Sequence, residues 1–532
     1  MVQDQKLWIA KAEDRIFLEP SLANRHGLIA GATGTGKTVT LKVMAESFSD
    51  MGVPVFFSDV KGDLSGMCQQ GTDTEDMRER IARFEIESFS FRSYPTRFWD
   101  LFGEEGIPVR ITVSDMGPLL LSRLLGLTEV QSGVLNLVFR IADDQGLLLL
   151  DLNDLRSMLA YVGKNRAEYT ITYGTVSAAS IGAIQRALLA FETEGGEQFF
   201  GEPALDIVDW IRTDAYGRGY VNILNAKRLI QSPTVYSTFL LWMLSELFEK
   251  LPEVGDLEKP RLVFFFDEAH LLFTDTNKAL LQKIIQIVKL IRSKGVGIYF
   301  VTQSPSDIPN EVLAQLSNKV QHALRAYTPA EQKAIRAVAD SFRTNPDFRT
   351  EDVIQELGVG EALVSFLEKD GVPAIVQRAR ILPPQSRMGE ADSGAVRRVI
   401  NTDEFSLKYD GQIDRRSASE ILKEAEAQLE QAALLQAEAD RLEKARLKQE
   451  QAALREAEKQ AERRKKVGQR AANAAASTVA SAVGKNIVNS LTGGKITSTG
   501  TIAKRAASNA LSSVMRSGSF AIIRGLFGTK KK

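Results

Sequence analysis

Residues 26–48 read HGLIAGATGTGKTVTLKVMAESF, which along the chain is a short apolar strand, a glycine-rich turn and then a helix with Val39, Leu41, Val43 and Met44 available for packing. The turn, Gly31-Ala32-Thr33-Gly34-Thr35-Gly36-Lys37-Thr38, matches the pattern G-x-x-x-x-G-K-[ST]. Glycines there let backbone N–H groups face phosphate oxygens, the lysine reaches the β and γ oxygens, the threonine holds Mg²⁺, and the helix N-terminus adds a favourable dipole. Residues 31–39 are the expected nucleotide-binding segment. A second extended run, VPVFFSD at residues 53–59, follows that helix. Strand, helix and strand in that order make a βαβ unit, so an α/β fold with a parallel sheet is expected.

A phosphate loop needs a carboxylate for the hydrated metal, and LVFFFDEAH at residues 262–270 supplies one at the carboxyl end of an apolar strand. Asp267 is expected to hold Mg²⁺ with Thr38, and Glu268 to polarise an attacking water, which favours hydrolysis over transfer to a bound hydroxyl. The letters DEAH do not make this a superfamily-two helicase: no SAT tripeptide and no QxxGRxGR motif follow, and 230 residues separate Lys37 from Asp267. His270 then reads as a packed or capping histidine. LSGMCQ at residues 64–69 half resembles an ABC-transporter signature but lies too close after the phosphate loop, and reads as a loop. At the end of the strand GIYFVTQ (residues 297–303), Gln303 is placed beside the phosphates, because catalytic side chains in open α/β sheets project from carboxyl ends of strands. Arg325 ends the next strand-like run, NKVQHALRA. It reads either as an arginine finger acting across a subunit boundary or as a surface arginine. Asp59 and Lys61, in SDVKGDLSG, end the second strand close to the phosphate loop.

The chain has 532 residues, too many for one core, so several folded units are expected. Hydrophobic residues at 44% and charged residues at 25% exclude a collagen-like, wholly disordered or multi-span membrane protein. One cysteine and three histidines exclude a disulfide framework and a clustered zinc site, and the chain reads as cytoplasmic. Residues 115–260 read as a largely helical insert, with apolar helical spacing at 118–127, 129–143, 152–162, 176–192 and 233–251 and a strand near 220–224. ILPPQSRMGEADSG at residues 381–394 suggests a linker, which sets the expected divisions: an ATPase body over 1–385, a linker over 386–414, a long helix over 415–466 and a tail over 467–532. In 415–466, 42 of 52 residues are Ala, Glu, Lys, Leu or Arg, and the leucines keep only a broken heptad, leaving a single solvated helix and a coiled coil both open. After Glu462 there are 14 basic residues and no acidic one, although the whole chain balances 67 against 67. That tail is expected to contact something anionic, DNA or a membrane surface, or to act as a solubilising extension.

Together GATGTGKT, FFSDVKGDLSG, FFFDEAHLLF, YFVTQSPSDIP and HALRAYTP resemble the HerA/FtsK P-loop ATPases, in particular the HerA-like YjgR-type bacterial branch, over roughly residues 1–385. The resemblance implies a RecA-like core with an additional strand, ATP and Mg²⁺ as cofactors, a homo-hexameric ring and movement or unwinding of double-stranded DNA. It also implies a glutamine sensor at Gln303 and an arginine finger at Arg325, beside the catalytic Lys37 and Glu268. HerA carries an N-terminal β-barrel and works with a nuclease. Only 30 residues precede the phosphate loop here, so neither barrel nor nuclease partner is expected. A nucleotide-switched scaffold and an ATPase attached to a membrane through the basic tail are the alternatives to DNA translocation.

Overall fold

The computed structural model describes residues 2–479 except 87–88, 194–195, 274–277, 412 and 414. The chain divides into two units, residues 1–418 and 419–532. Among the described residues thirteen strands form one sheet: β1 (Val2–Gln3), β2 (Lys6–Lys11), β3 (Arg15–Leu18), β4 (Gly27–Ala30), β5 (Val55–Asp59), β6 (Thr96–Asp100), β7 (Ile107–Pro108), β8 (Val221–Asn225), β9 (Leu262–Phe266), β10 (Val296–Thr302), β11 (Asn318–Gln321), β12 (Glu361–Ser365) and β13 (Gln377–Ile381). Their order is β1-β2-β13-β12-β11-β4-β10-β9-β5-β8-β6-β7, with β3 on β2. From β11 to β7 every pairing is parallel, and β12, β13 and the N-terminal strands add an antiparallel wing.

The parallel strands are buried on both faces, which is why they read as unbroken apolar runs: every residue of LVFFF (β9) and VGIYFVT (β10) is buried. β10 pairs with β4 on one side and β9 on the other, so an extra strand separates the strand before the glycine turn from the strand before Asp267. This is the additional-strand RecA-like order. Tyr299 stands opposite both Gly27 and Phe265, and a Cβ on Gly27 would lie 2.3 Å from the tyrosine ring, so only glycine fits there.

Five helices, Val113–Leu124, Glu129–Gln145, Leu152–Lys164, Arg166–Tyr173 and Ala178–Thr193, lie between β7 and β8. Thr128 with Gln131 and Asp151 with Asp154 form capping boxes that fix two of their starts. The insert is shorter than the 115–260 expected, because β8 enters the main sheet between β5 and β6 and helix Pro233–Lys250 packs against the core. Two residues of that segment, Asn222 and Tyr236, are buried in it.

The helix after the glycine turn, α1 (Lys37–Asp50), is buried from Thr40 to Ser49, including its polar residues. Residues 385–387 cover that polar face. The Glu46 carboxylate accepts Gln385 N–H at 2.8 Å, Ser386 N–H at 3.0 Å and the Ser386 hydroxyl at 2.5 Å, while Lys42 Nζ donates to the Arg387 carbonyl at 2.5 Å. Burial pushes the Glu46 pKa up, against its hydrogen bonds and the Lys42 charge, and the Lys42 pKa down, against the neighbouring carboxylates of Glu46, Asp63 and Asp59.

The expected linker over 386–414 is not a linker over most of its length: residues 386–410 belong to the packed body. Helix Ser393–Thr402 brings Val396, Val399 and Ile400 onto the core, and helix Glu404–Asp410 follows it. Arg97, 2% exposed, bonds Asp403 and Glu404 at 2.9 Å each, and the Tyr409 hydroxyl donates to Asp209 at 2.6 Å. The Pro-Pro pair is buried inside the body and does not mark its end. In the second unit, helix Ala418–Val479 exceeds the expected 415–466 at its C-terminal end, and Leu434, Leu435, Leu442, Leu447 and Leu454 are exposed on it. Residues 480–532, most of the basic tail, lie outside the described residues.

Because Glu46 satisfies three buried donors, Glu46→Ala is expected to lower the stability of the full chain by about 2–4 kcal/mol. Urea unfolding followed by tryptophan fluorescence checks this, and an unchanged midpoint would show that the 385–387 segment is not held through Glu46.

Candidate nucleotide-binding site

The turn between β4 and α1 uses backbone that side chains rarely adopt: φ is 152° at Gly31, 79° at Gly34 and 117° at Gly36. A Cβ on Gly31 would come within 2.5 Å of His322 Cβ, and one on Gly36 within 3.3 Å of Gly360 N. Neighbouring segments fasten the loop. Gly31 N–H donates to Thr302 O at 3.3 Å, Ala32 N–H to Ala323 O at 2.9 Å and Gly360 N–H to Thr35 O at 3.1 Å. His322 is buried beneath it, with Nε2 2.8 Å from Thr40 Oγ1 and Nδ1 3.0 Å from Glu361 O, and burial pulls its pKa down to about 4, so the ring is neutral near pH 7.

Lys37 Nζ donates to the loop's own carbonyls, Gly31 O at 2.5 Å and Ala32 O at 3.1 Å. Burial lowers its pKa, against the pull of the Asp267 carboxylate. Thr33, Thr38 and Val39 line a cleft of about 270 Å³ over the loop, closed by Lys61, Arg80, Val359, Gly360 and Met388. Lys61 reaches it from the turn after β5, where Asp59 accepts the N–H groups of Gly62, Leu64 and Ser65 at 2.6, 3.0 and 3.1 Å and so shapes the sequence DVKGDLS.

Asp267 follows β9. Its Oδ1 accepts Glu268 N–H at 3.0 Å, and its carbonyl accepts the Tyr236 hydroxyl, which itself lies 2.6 Å from Ser58 Oγ. Burial, then the Glu268 charge, push its pKa up to about 6, against Lys61 and Lys37. Glu268 sits in the left-handed region at φ 47°; its buried Oε2 makes no hydrogen bond among the described residues and lies 3.5 Å from His270 Nδ1. A buried carboxylate oxygen without a donor is costly and is tolerated where a ligand or water completes it. His270, partly exposed, stands beside this carboxylate.

Gln303 is exposed directly after β10, between the glycine turn and Asp267 in the strand order. Arg325 is exposed four residues past β11. Its guanidinium donates to the carbonyls of Gln355 and, at 3.0 Å, Leu357, at the end of helix Thr350–Glu356. The fold therefore gathers Gly31 through Val39, Asp267, Glu268 and Gln303 at neighbouring strand ends, whereas Arg325 is engaged elsewhere on its own chain. Sequence reasoning missed Arg80, Val359, Gly360 and Met388. Arg80 stands in a strongly charged nine-residue helix, Glu75–Arg83, that buries nothing, and no periodicity marks it.

The set fits a magnesium nucleotide: an open backbone cradle, an inward lysine, and one hydroxyl and one carboxylate that would hold the metal. The family described as Helicase HerA-like C-terminal matches residues 4–499. The chain belongs to this HerA-like family of P-loop ATPases. Among curated relatives, the DNA double-strand break repair helicase HerA of Sulfolobus acidocaldarius is 22% identical over 382 residues, covering 68% of this chain and 65% of that one. The protein of the same name from Sulfurisphaera tokodaii is 28% identical over 166 residues, 30% of each chain. The probable helicase MJECL08 of Methanocaldococcus jannaschii is 30% identical over 154 residues, 27% of this chain and 28% of that one. The match thus spans less than two thirds of each relative's length. Among solved structures, the plasmid coupling protein TrwB with a non-hydrolysable ATP analogue shares 16% identity over 74% of this chain and 93% of its own, with a TM-score of 0.47. VirB4 of Thermoanaerobacter pseudethanolicus shares 16% identity over 74% and 99%, with a TM-score of 0.45.

A Cβ at Gly31 would force the loop off His322, so Gly31→Ala is expected to weaken binding of a fluorescent ATP analogue at least about tenfold without unfolding the protein. Equilibrium titration beside circular dichroism checks this, and unaltered affinity would show that the loop tolerates a side chain there.

Proposed function

We propose that this protein hydrolyses ATP with Mg²⁺ and, as a homo-hexameric ring, couples the cycle to movement along or unwinding of duplex DNA. What carries the reading is the convergence of the Lys37 loop, Gln303 and the Asp267–Glu268 pair at the ends of β4, β10 and β9, with one Glu268 oxygen unsatisfied among the described residues. Family membership and relatives named as DNA double-strand break repair helicases support the DNA part.

Lys37 exchanges its two loop carbonyls for the β and γ phosphate oxygens. Thr38 and Asp267 hold Mg²⁺, which supplies charge neutralisation on the phosphates. Glu268 orients a water and accepts its proton as the oxygen attacks the γ phosphorus and the bond to the β-phosphate oxygen breaks, leaving ADP and phosphate. Gln303 contacts the γ-phosphate or the water. Arg325, released from the carbonyls of Gln355 and Leu357, completes a neighbouring subunit's site with positive charge.

A mixing experiment tests hydrolysis and assembly together. Glu268→Gln alone and Arg325→Ala alone should each turn over ATP about a hundredfold more slowly than wild type while Glu268→Gln still binds it. Mixed in equal amounts, the two should recover measurable activity, because some interfaces carry both intact groups. Full turnover by Glu268→Gln would remove it as the base, and mixtures no more active than their parts would refute an arginine acting in trans.

A further inference from the structure

The helix Glu75–Arg83 hangs over the phosphate loop and has no buried residue of its own. Thr74 caps its start, accepting Met77 N–H at 3.3 Å. It is tied down at its two ends: upstream Gly71 N–H donates to Gln385 O at 3.0 Å, and downstream Phe84 is buried against Trp8 while Glu85 pairs with Lys11 at 2.8 Å. A helix held in this way packs weakly on what lies beneath it.

Its three arginines are not equivalent. Arg78 pairs with Asp73 at 2.8 Å and Arg83 with Glu79 at 3.5 Å, both at the surface. Arg80 points the other way, into the cleft over the loop, and makes no ion pair or hydrogen bond among the described residues. Its Nη1 lies 3.9 Å from the place a Cβ on Gly360 would take, and Gly360 in turn is hydrogen-bonded to Thr35 in the loop. The nearest acidic side chain in sequence to Gly360, Glu361, is occupied by Arg378 at 2.9 Å. Lys37, Lys61 and Arg80 thus line one small cleft, together with the exposed apolar side chains Val359, at 72% exposure, and Met388, at 46%. Three cations in one small cleft, with exposed apolar side chains beside them, match a ligand that carries several negative charges and an apolar part.

We propose that Arg80 is a nucleotide-contacting residue supplied in cis: it bonds the phosphates of nucleotide in the Lys37 loop and draws the helix Glu75–Arg83 down over it. The proposal rests on the reading of the loop as an ATP site. A guanidinium gives charge-assisted, fork-shaped hydrogen bonds that a lysine supplies only in part. Because Arg80 has no partner among the described residues, removing it is expected to leave the unliganded fold as it was.

The test titrates full-length wild type, Arg80→Ala, Arg80→Lys and Arg78→Ala with a fluorescent ATP analogue and Mg²⁺. Hydrogen exchange over residues 72–86 is followed with and without the analogue. Arg80→Ala should bind about ten- to a hundredfold more weakly with an unchanged thermal midpoint in the absence of nucleotide; Arg80→Lys should recover part of the loss and Arg78→Ala should match wild type. Nucleotide should slow exchange in the helix of wild type but not of Arg80→Ala. Wild-type affinity in Arg80→Ala, equal protection of the helix in both, or a lowered midpoint in the absence of nucleotide that accounts for the lost affinity would each overturn the proposal. Failure of wild type to bind the analogue at all would instead refute the ATP reading of the loop.

Discussion

The parallel ladder that sets β10 between β4 and β9 is the constraint on which the site depends. Its register puts Thr302 beside Ala30 and Phe300 beside Phe266. Gly31, Gln303 and Asp267 therefore leave the sheet within two residues of one another along the strand direction. Neighbouring strands lie about 4.8 Å apart, so the glycine turn and the Asp267 backbone stand two strand spacings, or about 10 Å, from each other, with Gln303 between them. That gap suits a hydrated cation and a triphosphate. The ladder is in turn fixed by bulk: Tyr299 fills the space that a side chain at Gly27 would need, and Phe265 packs 5.3 Å from it on the other side.

A second constraint acts on α1, which carries Lys37 and Thr38. A helix starting at a phosphate loop must keep its first turn open to ligand, and here the rest is enclosed, with Glu46 and Lys42 bonded to a strand-like segment that returns from more than 300 residues downstream. That segment continues to Met388 at the rim of the nucleotide cleft, so the chain that closes the fold also borders the site.

The chemistry was legible in the sequence wherever it depends on local pattern. GATGTGKT must be a phosphate cradle because few other turns need that many glycines before a lysine, and LVFFFDE must be a buried strand ending in carboxylates because both its faces are apolar. Strand order was not legible from periodicity: β5, β9 and β10 are all fully buried, and nothing in an all-apolar run says which neighbour it takes. The packed residues 386–410 were hidden for the opposite reason. Their apolar side chains fall on two short helices separated by polar residues, and their anchors, Glu46 and Arg97, are charges that pattern-reading assigns to solvent. Arg325 reads identically in sequence whether it waits for a neighbour or caps its own chain's helix, and the structure places it on carbonyls of its own chain.

Coupling of this site to a polymer is read from the steady-state rate of ATP hydrolysis by the full-length protein, measured with and without double-stranded DNA at fixed Mg²⁺ and low salt. A site coupled to duplex DNA should give a rate that rises severalfold on adding it and falls back as salt screens the phosphate contacts. Vigorous hydrolysis that duplex DNA leaves unchanged at every salt concentration would contradict it.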